Sequence, residues 1–92
     1  MNTTKAFRIS VSGKVQGVFF RKSTEQKARE LGIKGFVRNE DDGSVLIEAE
    51  GQASAMTALV NWAKHGPPGA EVRSVQQEET DRQGYMDFKI RQ

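Results

Sequence analysis

The chain has 92 residues, of which 36% are hydrophobic and 28% charged, a balance typical of one small globular domain rather than of a disordered chain. Fourteen Lys and Arg against twelve Asp and Glu leave a net charge of +2, which is too small to indicate a polyanion-binding protein. The sequence shows no cysteine, no apolar run near the roughly 20 residues of a membrane span and no secretory signal, so we expect a soluble cytoplasmic protein without disulfides.

Hydrophobic periodicity and turn residues divide the chain into five predicted strands and two predicted helices. Alternation of apolar and polar residues indicates a strand, and apolar residues three or four positions apart indicate a helix. Gly32 follows the first helix, Asp42 and Gly43 indicate a hairpin turn, and the GPP of residues 66–68 ends the second helix. In chain order we predict a strand from Phe7 to about Gly13, a helix over 22–31, strands over 33–39 and 44–51, a helix over 53–64, a strand around 72–77 and a short strand over 85–91.

This order of elements, β-α-β-β-α-β with a terminal strand, predicts the fold class. It fits an α+β, ferredoxin-like two-layer sandwich, in which two helices cover one face of an antiparallel sheet. We expect residues 1–92 to form a single domain, with Trp62 in the core and Met86, Phe88 and Ile90 of the last strand pointing inward. Because this fold supports many activities, the function has to be argued from a site.

The stretch GKVQGVFFR, residues 13–21, places an arginine at the start of the first predicted helix. Backbone N–H groups at a helix start lack intrahelical partners, and the helix dipole adds positive potential there. Arg21 adds a cation with a planar fork of donors, and Gly17 allows the backbone to approach a ligand closely. These features indicate a site for a phosphate or carboxylate group. A strand-to-helix turn with a glycine and a surface arginine is also common as plain structure, and the stretch matches neither a Walker A loop nor a Rossmann motif, so both interpretations stay open.

Two spaced motifs carry a resemblance to a known family. GKVQGVFFR, followed after a helix by GFVRN and a DGSV hairpin, resembles the acylphosphatases, whose signatures read approximately GxVQGVxFR and G(F/W)VxN. The resemblance extends over nearly the whole chain. It implies a hydrolase, free of metal and other cofactors, that cleaves a small-molecule acyl phosphate into a carboxylate and inorganic phosphate, the latter also expected as a competitive ligand.

The resemblance also implies roles for individual residues. Arg21 falls on the phosphate-binding arginine and Asn39 on the asparagine that orients the attacking water. An amide suits that task because it accepts and donates hydrogen bonds without titrating near neutral pH. Many relatives carry Thr after this asparagine where this chain has Glu40, so we expect weaker substrate affinity or a side chain turned away. The residues implied to bind the phosphoryl oxygens through main-chain N–H groups are Val15, Gln16, Gly17, Val18, Phe19 and Phe20.

Other residues near the motifs have structural interpretations. His65 is expected to complement the dipole at the end of the second helix rather than to act as a base. Asp41 and Asp42 are expected to form a turn rather than a metal site, since no further ligand completes one. For Phe19 and Phe20 we favour packing beneath the loop over an exposed stacking role.

Two other functions fit this fold. Lys34 to Val37 match part of an RNA-recognition motif, but the exposed aromatic pair of such domains is missing, so we expect no nucleic-acid partner. The other is a non-catalytic small-molecule or regulatory domain, since a closely similar module also occurs inside larger carbamoyl-transfer maturation proteins. The length of the chain favours a stand-alone enzyme, and we expect a monomer without a membrane partner.

Overall fold

The structure, a computed structural model, describes residues 3–92 and contains the seven predicted elements. The two helices are each 11 residues long, about half the length needed to cross a membrane, and no helix of the described residues is both long and apolar enough to do so. In chain order the elements are β1 (Thr4–Lys14), α1 (Phe20–Glu30), β2 (Lys34–Asn39), β3 (Val45–Gln52), α2 (Ala53–Ala63), β4 (Glu71–Glu79) and β5 (Phe88–Arg91).

The strands form one sheet in the order β4-β1-β3-β2-β5. β1 pairs antiparallel with β3 and β4, and β2 pairs antiparallel with β3. This arrangement confirms the predicted ferredoxin-like sandwich. The added β5 lies parallel to β2, so the sheet is mixed rather than wholly antiparallel.

The core lies between the sheet and the two helices. Alternate strand residues such as Ile9, Val37 and Ile47 are fully buried and form one cluster with Ala28 of α1 and Leu59 of α2. Both helices therefore cover the same face, as the period-2 pattern of the strands predicts. The cluster is the main apolar burial that holds the elements together.

Two apolar residues lie where the sequence did not place them. Phe19, expected beneath the loop, is 83% exposed, whereas its neighbour Phe20 is 1% exposed and forms part of the core. Met86, expected to point inward, is 87% exposed because β5 begins only at Phe88. Trp62 is half-buried at the edge of the core, with its ring centroid 5.4 Å from that of Phe20.

The short final strand follows from the way residues 80–87 run. β4 and β5 lie at opposite edges of the sheet, so the chain between them has to cross from one edge to the other. The backbone N–H groups of Gln83, Gly84 and Tyr85 donate to the buried carboxylate of Glu50, not to a neighbouring strand. The side chain of Glu50 thus satisfies the backbone donors of residues 83–85, which lie outside the sheet.

Candidate functional site

Three strands have their carboxyl ends at the same end of the sheet. Because β3 runs antiparallel to both β1 and β2, these two strands point the same way, and β5 is parallel to β2. Their carboxyl ends lead into residues 15–19, into Asn39 and into Arg91, respectively. The topology therefore brings together the two motifs that the sequence singled out.

The loop of residues 15–20 leads from β1 into α1. The backbone N–H groups of residues 16–20 donate to no atom within the described part of the chain. α1 has no acidic residue in its first turn and no side-chain cap, so the partial positive charge of its N-terminus is not compensated locally. Gly17 has φ 74° and nothing within 4 Å of the position of an added Cβ, so the loop is open on that side.

Phe19 is the residue at which the loop turns into the helix. Its φ of 63° and ψ of 23° are left-handed, and no other non-glycine residue in 3–92 has a positive φ. Such a conformation costs a bulky residue about 1 kcal/mol or more. It also lets α1 begin at Phe20, two residues earlier than predicted, so that Arg21 lies in the first helical turn.

The guanidinium of Arg21 is held at the end of β5. Its Nη1 donates to the main-chain carbonyl of Arg91 at 3.2 Å. One contact of this kind leaves most of the five N–H donors of a guanidinium available for other acceptors. Arg21 is thus oriented by the fold without being neutralised, since no carboxylate pairs with it among the described residues.

The side chain of Asn39 carries a polar atom without a partner. Its Oδ1 is buried and makes no hydrogen bond within residues 3–92, the only side-chain oxygen or nitrogen of which this is true. A buried acceptor of this kind is costly unless a water or ligand completes it.

Arg21 and Asn39 line the same cavity. This cavity has a volume of about 280 Å³, and its walls are formed by Val15, Gly17, Phe19, Phe20, Arg21, Lys22, Asn39 and Ile90. Two of the predicted loop residues, Gln16 and Val18, do not form its wall. A pocket lined by Arg21, by Asn39 and by loop residues whose N–H groups are unpaired within the described chain can receive an anion.

The carboxylates near the cavity are paired with cations. Glu40 lies with Oε2 3.2 Å from Nε of Arg38, and it does not line the cavity. Glu25, on α1, contacts Lys22 at 3.0 Å and Arg29 at 3.3 Å. The Glu40 side chain is therefore turned away from the cavity, which is one of the two outcomes expected from the departure at this position.

The structural interpretations of the turn and of the lone histidine agree with the structure. Oδ1 of Asp42 accepts hydrogen bonds from the backbone N–H and the hydroxyl of Ser44 at 2.9 and 2.6 Å, and these bonds lower the pKa of Asp42. Nδ1 of His65 lies 3.3 Å from the carbonyl oxygen of Asn61 at the end of α2. No group of three His, Cys, Asp or Glu side chains in residues 3–92 is arranged to hold a metal ion.

Phe36, the aromatic residue in the stretch that partly matches an RNA-recognition motif, is buried beneath neighbouring side chains. Phe36 is 6% exposed, its ring centroid is 5.9 Å from that of Tyr85, and the guanidinium carbon of Arg91 lies 4.0 Å from its centre. A ring enclosed in this way offers no face on which a base can stack.

Sequence reasoning missed two contributors to the region. Ile90 reaches the cavity because β5 pairs with β2 in a register that sets Ile90 beside Val37. The side chain of Gln16, predicted to act only through its backbone, donates from Nε2 to the carbonyl oxygens of Glu40 and Ser44 at 2.8 and 2.9 Å. A sequence-based prediction that β5 pairs with β2 would have placed Ile90 near the cavity. No signal in the sequence indicates the hydrogen bonds of the Gln16 side chain.

A family model described as Acylphosphatase matches residues 7–90. The chain belongs to the acylphosphatase family. An acylphosphatase of Thermotoga petrophila is 51% identical over 87 residues, which cover 95% of this chain and 97% of that relative. A solved acylphosphatase structure from Coxiella burnetii superimposes with a TM-score of 0.94 at 42% identity, covering 97% of this chain and 94% of the other.

The same fold recurs inside a much larger protein. The HypF structure from T. kodakarensis matches 96% of this chain with a TM-score of 0.84 and 30% identity, but the match covers only 12% of HypF.

Acylphosphatases are hydrolases, so the chain is an enzyme of that class. Membership of the family supports hydrolysis of acyl phosphates as its reaction.

Proposed function

We propose that this protein hydrolyses acyl phosphates by attack of a water molecule held by Asn39 on a phosphoryl group bound by Arg21 and by main-chain N–H groups of residues 15–20. The observation that carries the proposal is the shared cavity of about 280 Å³, which unites Arg21, the loop and an Asn39 whose Oδ1 has no partner. Inorganic phosphate, as the product, is the expected competitive ligand.

The loop and Arg21 supply charge stabilisation. In phosphoryl transfer the transition state spreads negative charge over the equatorial oxygens of the phosphoryl group. Donors that are fixed before the substrate arrives stabilise this charge without reorganising. The N–H groups of residues 16–20 have no competing acceptor within residues 3–92, and the hydrogen bond to Arg91 fixes the guanidinium.

Asn39 positions the attacking water molecule. Its Oδ1 accepts a hydrogen bond from the attacking water, whose oxygen forms the new bond to phosphorus while the bond from phosphorus to the acyl oxygen breaks. The carboxylate leaves with the electron pair of that bond. The water proton passes to an oxygen of the substrate phosphate, which spares the enzyme a general base.

A monomeric enzyme in the cytoplasm completes the proposal. Among the described residues the large hydrophobic side chains that are exposed are Phe19 and Met86. Two separate exposed side chains do not form the contiguous apolar patch that marks a stable interface.

Substitution of Arg21 tests the proposal. We expect the wild-type protein to release phosphate from benzoyl phosphate in excess EDTA, and Arg21→Ala to lower kcat/KM by at least about a thousandfold, because it removes the principal cation of the site. Arg73→Ala is the matched control: Arg73 is exposed on β4 and forms no ion pair within the described chain. An Arg21→Ala enzyme with kcat/KM close to the wild-type value would remove Arg21 from the mechanism.

A further inference from the structure

The side chain of Gln16 joins the loop to the hairpin that follows Asn39. Both hydrogens of its carboxamide nitrogen are used, one toward the carbonyl oxygen of Glu40 and one toward that of Ser44, at 2.8 and 2.9 Å. Glu40 directly follows Asn39, and Ser44 directly precedes β3. The glutamine therefore spans the base of the β2–β3 turn.

The sheet holds Asn39, which pairs with Val45 of β3, but no ladder of the sheet reaches residues 15–19. β3 lies between β1 and β2, so the two strand ends are about 10 Å apart, which is two strand spacings. The ladder between β1 and β3 ends at Val11 and Val45, five residues before Gln16. The bonds of Gln16 are the only hydrogen bonds between residues 15–19 and residues 39–44 in the part of the chain that the structure describes.

The position of the loop relative to Asn39 depends on this connection, because the ladders of the sheet end before residues 15–19 and the side chain of Asn39 makes no bond to the loop. Oδ1 of Asn39 makes no hydrogen bond within residues 3–92, so its placement relative to the loop follows from where the backbone of residues 39–44 lies. A water held by Asn39 has to attack in line with the breaking bond, and a misplacement of about 1 Å can lower a rate by about a hundredfold.

We propose that Gln16 is a positioning residue that sets the distance between the phosphate-binding loop and Asn39 through its two hydrogen bonds to the hairpin. The inference rests on the function proposed above and extends it to a side chain that does not line the cavity. The side chain of Gln16 acts through the distance to Asn39, and a side-chain variant keeps the main-chain N–H of residue 16, so the effect belongs to the attack step and not to binding of the phosphoryl group.

Gln16→Met removes both hydrogen bonds without adding charge and with little change of side-chain length. The two carbonyl groups keep partners, because Gly43 N–H donates to Glu40 O at 3.1 Å and Glu40 N–H donates to Ser44 O at 2.8 Å. The turn therefore retains its own closure, and we expect the variant to fold. Gln76→Met is the matched control, since Gln76 is exposed on β4 at the far edge of the sheet.

The test is a double-mutant cycle between Gln16→Met and Asn39→Ala, with kcat measured on benzoyl phosphate and the Kd of inorganic phosphate measured by calorimetry. In the wild-type background we expect Gln16→Met to lower kcat by about tenfold to a hundredfold while the phosphate Kd stays within about twofold. In the Asn39→Ala background the same change should lower kcat by less than about twofold, because residues that act through one another are not additive.

Equal losses of kcat in the two backgrounds would overturn the inference, as would a phosphate Kd that weakens in parallel with kcat, or a Gln16→Met enzyme with wild-type kcat. These outcomes are separate from failure of the proposed function. That failure would show as an Asn39→Ala enzyme with undiminished kcat, whatever Gln16→Met does.

Discussion

At the scale of single residues, the site depends on groups left without partners. The N–H groups of residues 16–20 and Oδ1 of Asn39 have no acceptor or donor within residues 3–92. Of these groups Oδ1 of Asn39 is buried, and natural proteins rarely leave a buried polar atom unsatisfied unless a ligand or water completes it. The same residues show what sequence can reach: motif resemblance indicated Arg21 and Asn39, but the left-handed Phe19 and the contacts of the Gln16 side chain depend on tertiary geometry that no spacing encodes.

The strained Phe19 gives a prediction on stability. We expect Phe19→Gly to raise the free energy of unfolding by about 0.5–1 kcal/mol, because glycine adopts a φ of 63° without a steric penalty and the exposed ring contributes little burial. Urea denaturation with linear extrapolation measures the change. Phe19→Ala is the control, since it removes the ring but keeps the Cβ; a Phe19→Gly protein no more stable than Phe19→Ala would show that the backbone is not strained.

At the scale of elements, the strand and helix order could be read from the sequence because alternating and helical periodicities are local signals. The wrong predictions concern the residues at which α1 and β5 begin. α1 starts at Phe20, directly after the left-handed Phe19, and β5 starts only at Phe88, after a segment whose N–H groups at residues 83–85 bind the carboxylate of Glu50. Both depend on contacts between residues distant in sequence or on a rare backbone conformation, which periodicity cannot reveal.

The hairpin between β2 and β3 gives a pH prediction. Hydrogen bonds from Ser44 lower the pKa of Asp42 in the folded state. The stability from this carboxylate is therefore fully present above the unfolded pKa of about 3.9 and is lost as pH falls through the lower folded pKa. We expect the wild type to be more stable than Asp42→Asn at pH 7, and this difference to shrink below about pH 4.

Thermal unfolding monitored by circular dichroism between pH 7 and pH 2.5 measures this difference. Asp41→Asn is the matched control, because the carboxylate of Asp41 does not contact Ser44. If the difference between wild type and Asp42→Asn is the same at every pH, the ionised Asp42 does not stabilise the turn.

At the scale of the whole molecule, topology assembles the site. β1, β2 and β5 point the same way. Their carboxyl ends therefore place the loop, Asn39 and the carbonyl of Arg91 at the same end of the sheet, where α1 begins. The groups that we propose to bind the anion come from the β1–α1 connection, and the group that we propose to hold the water comes from β2. Binding of phosphate and positioning of water should thus be separable, since they reside on different elements.

The substitution Asn39→Ala tests this separation most directly, with kcat on benzoyl phosphate and the Kd of inorganic phosphate measured on the same preparation. We predict that kcat falls by about a hundredfold or more, that the phosphate Kd stays within about twofold, and that Asn61→Ala, an exposed asparagine of α2, changes neither. An Asn39→Ala enzyme that keeps its kcat, or that loses phosphate affinity in proportion to kcat, would contradict the account.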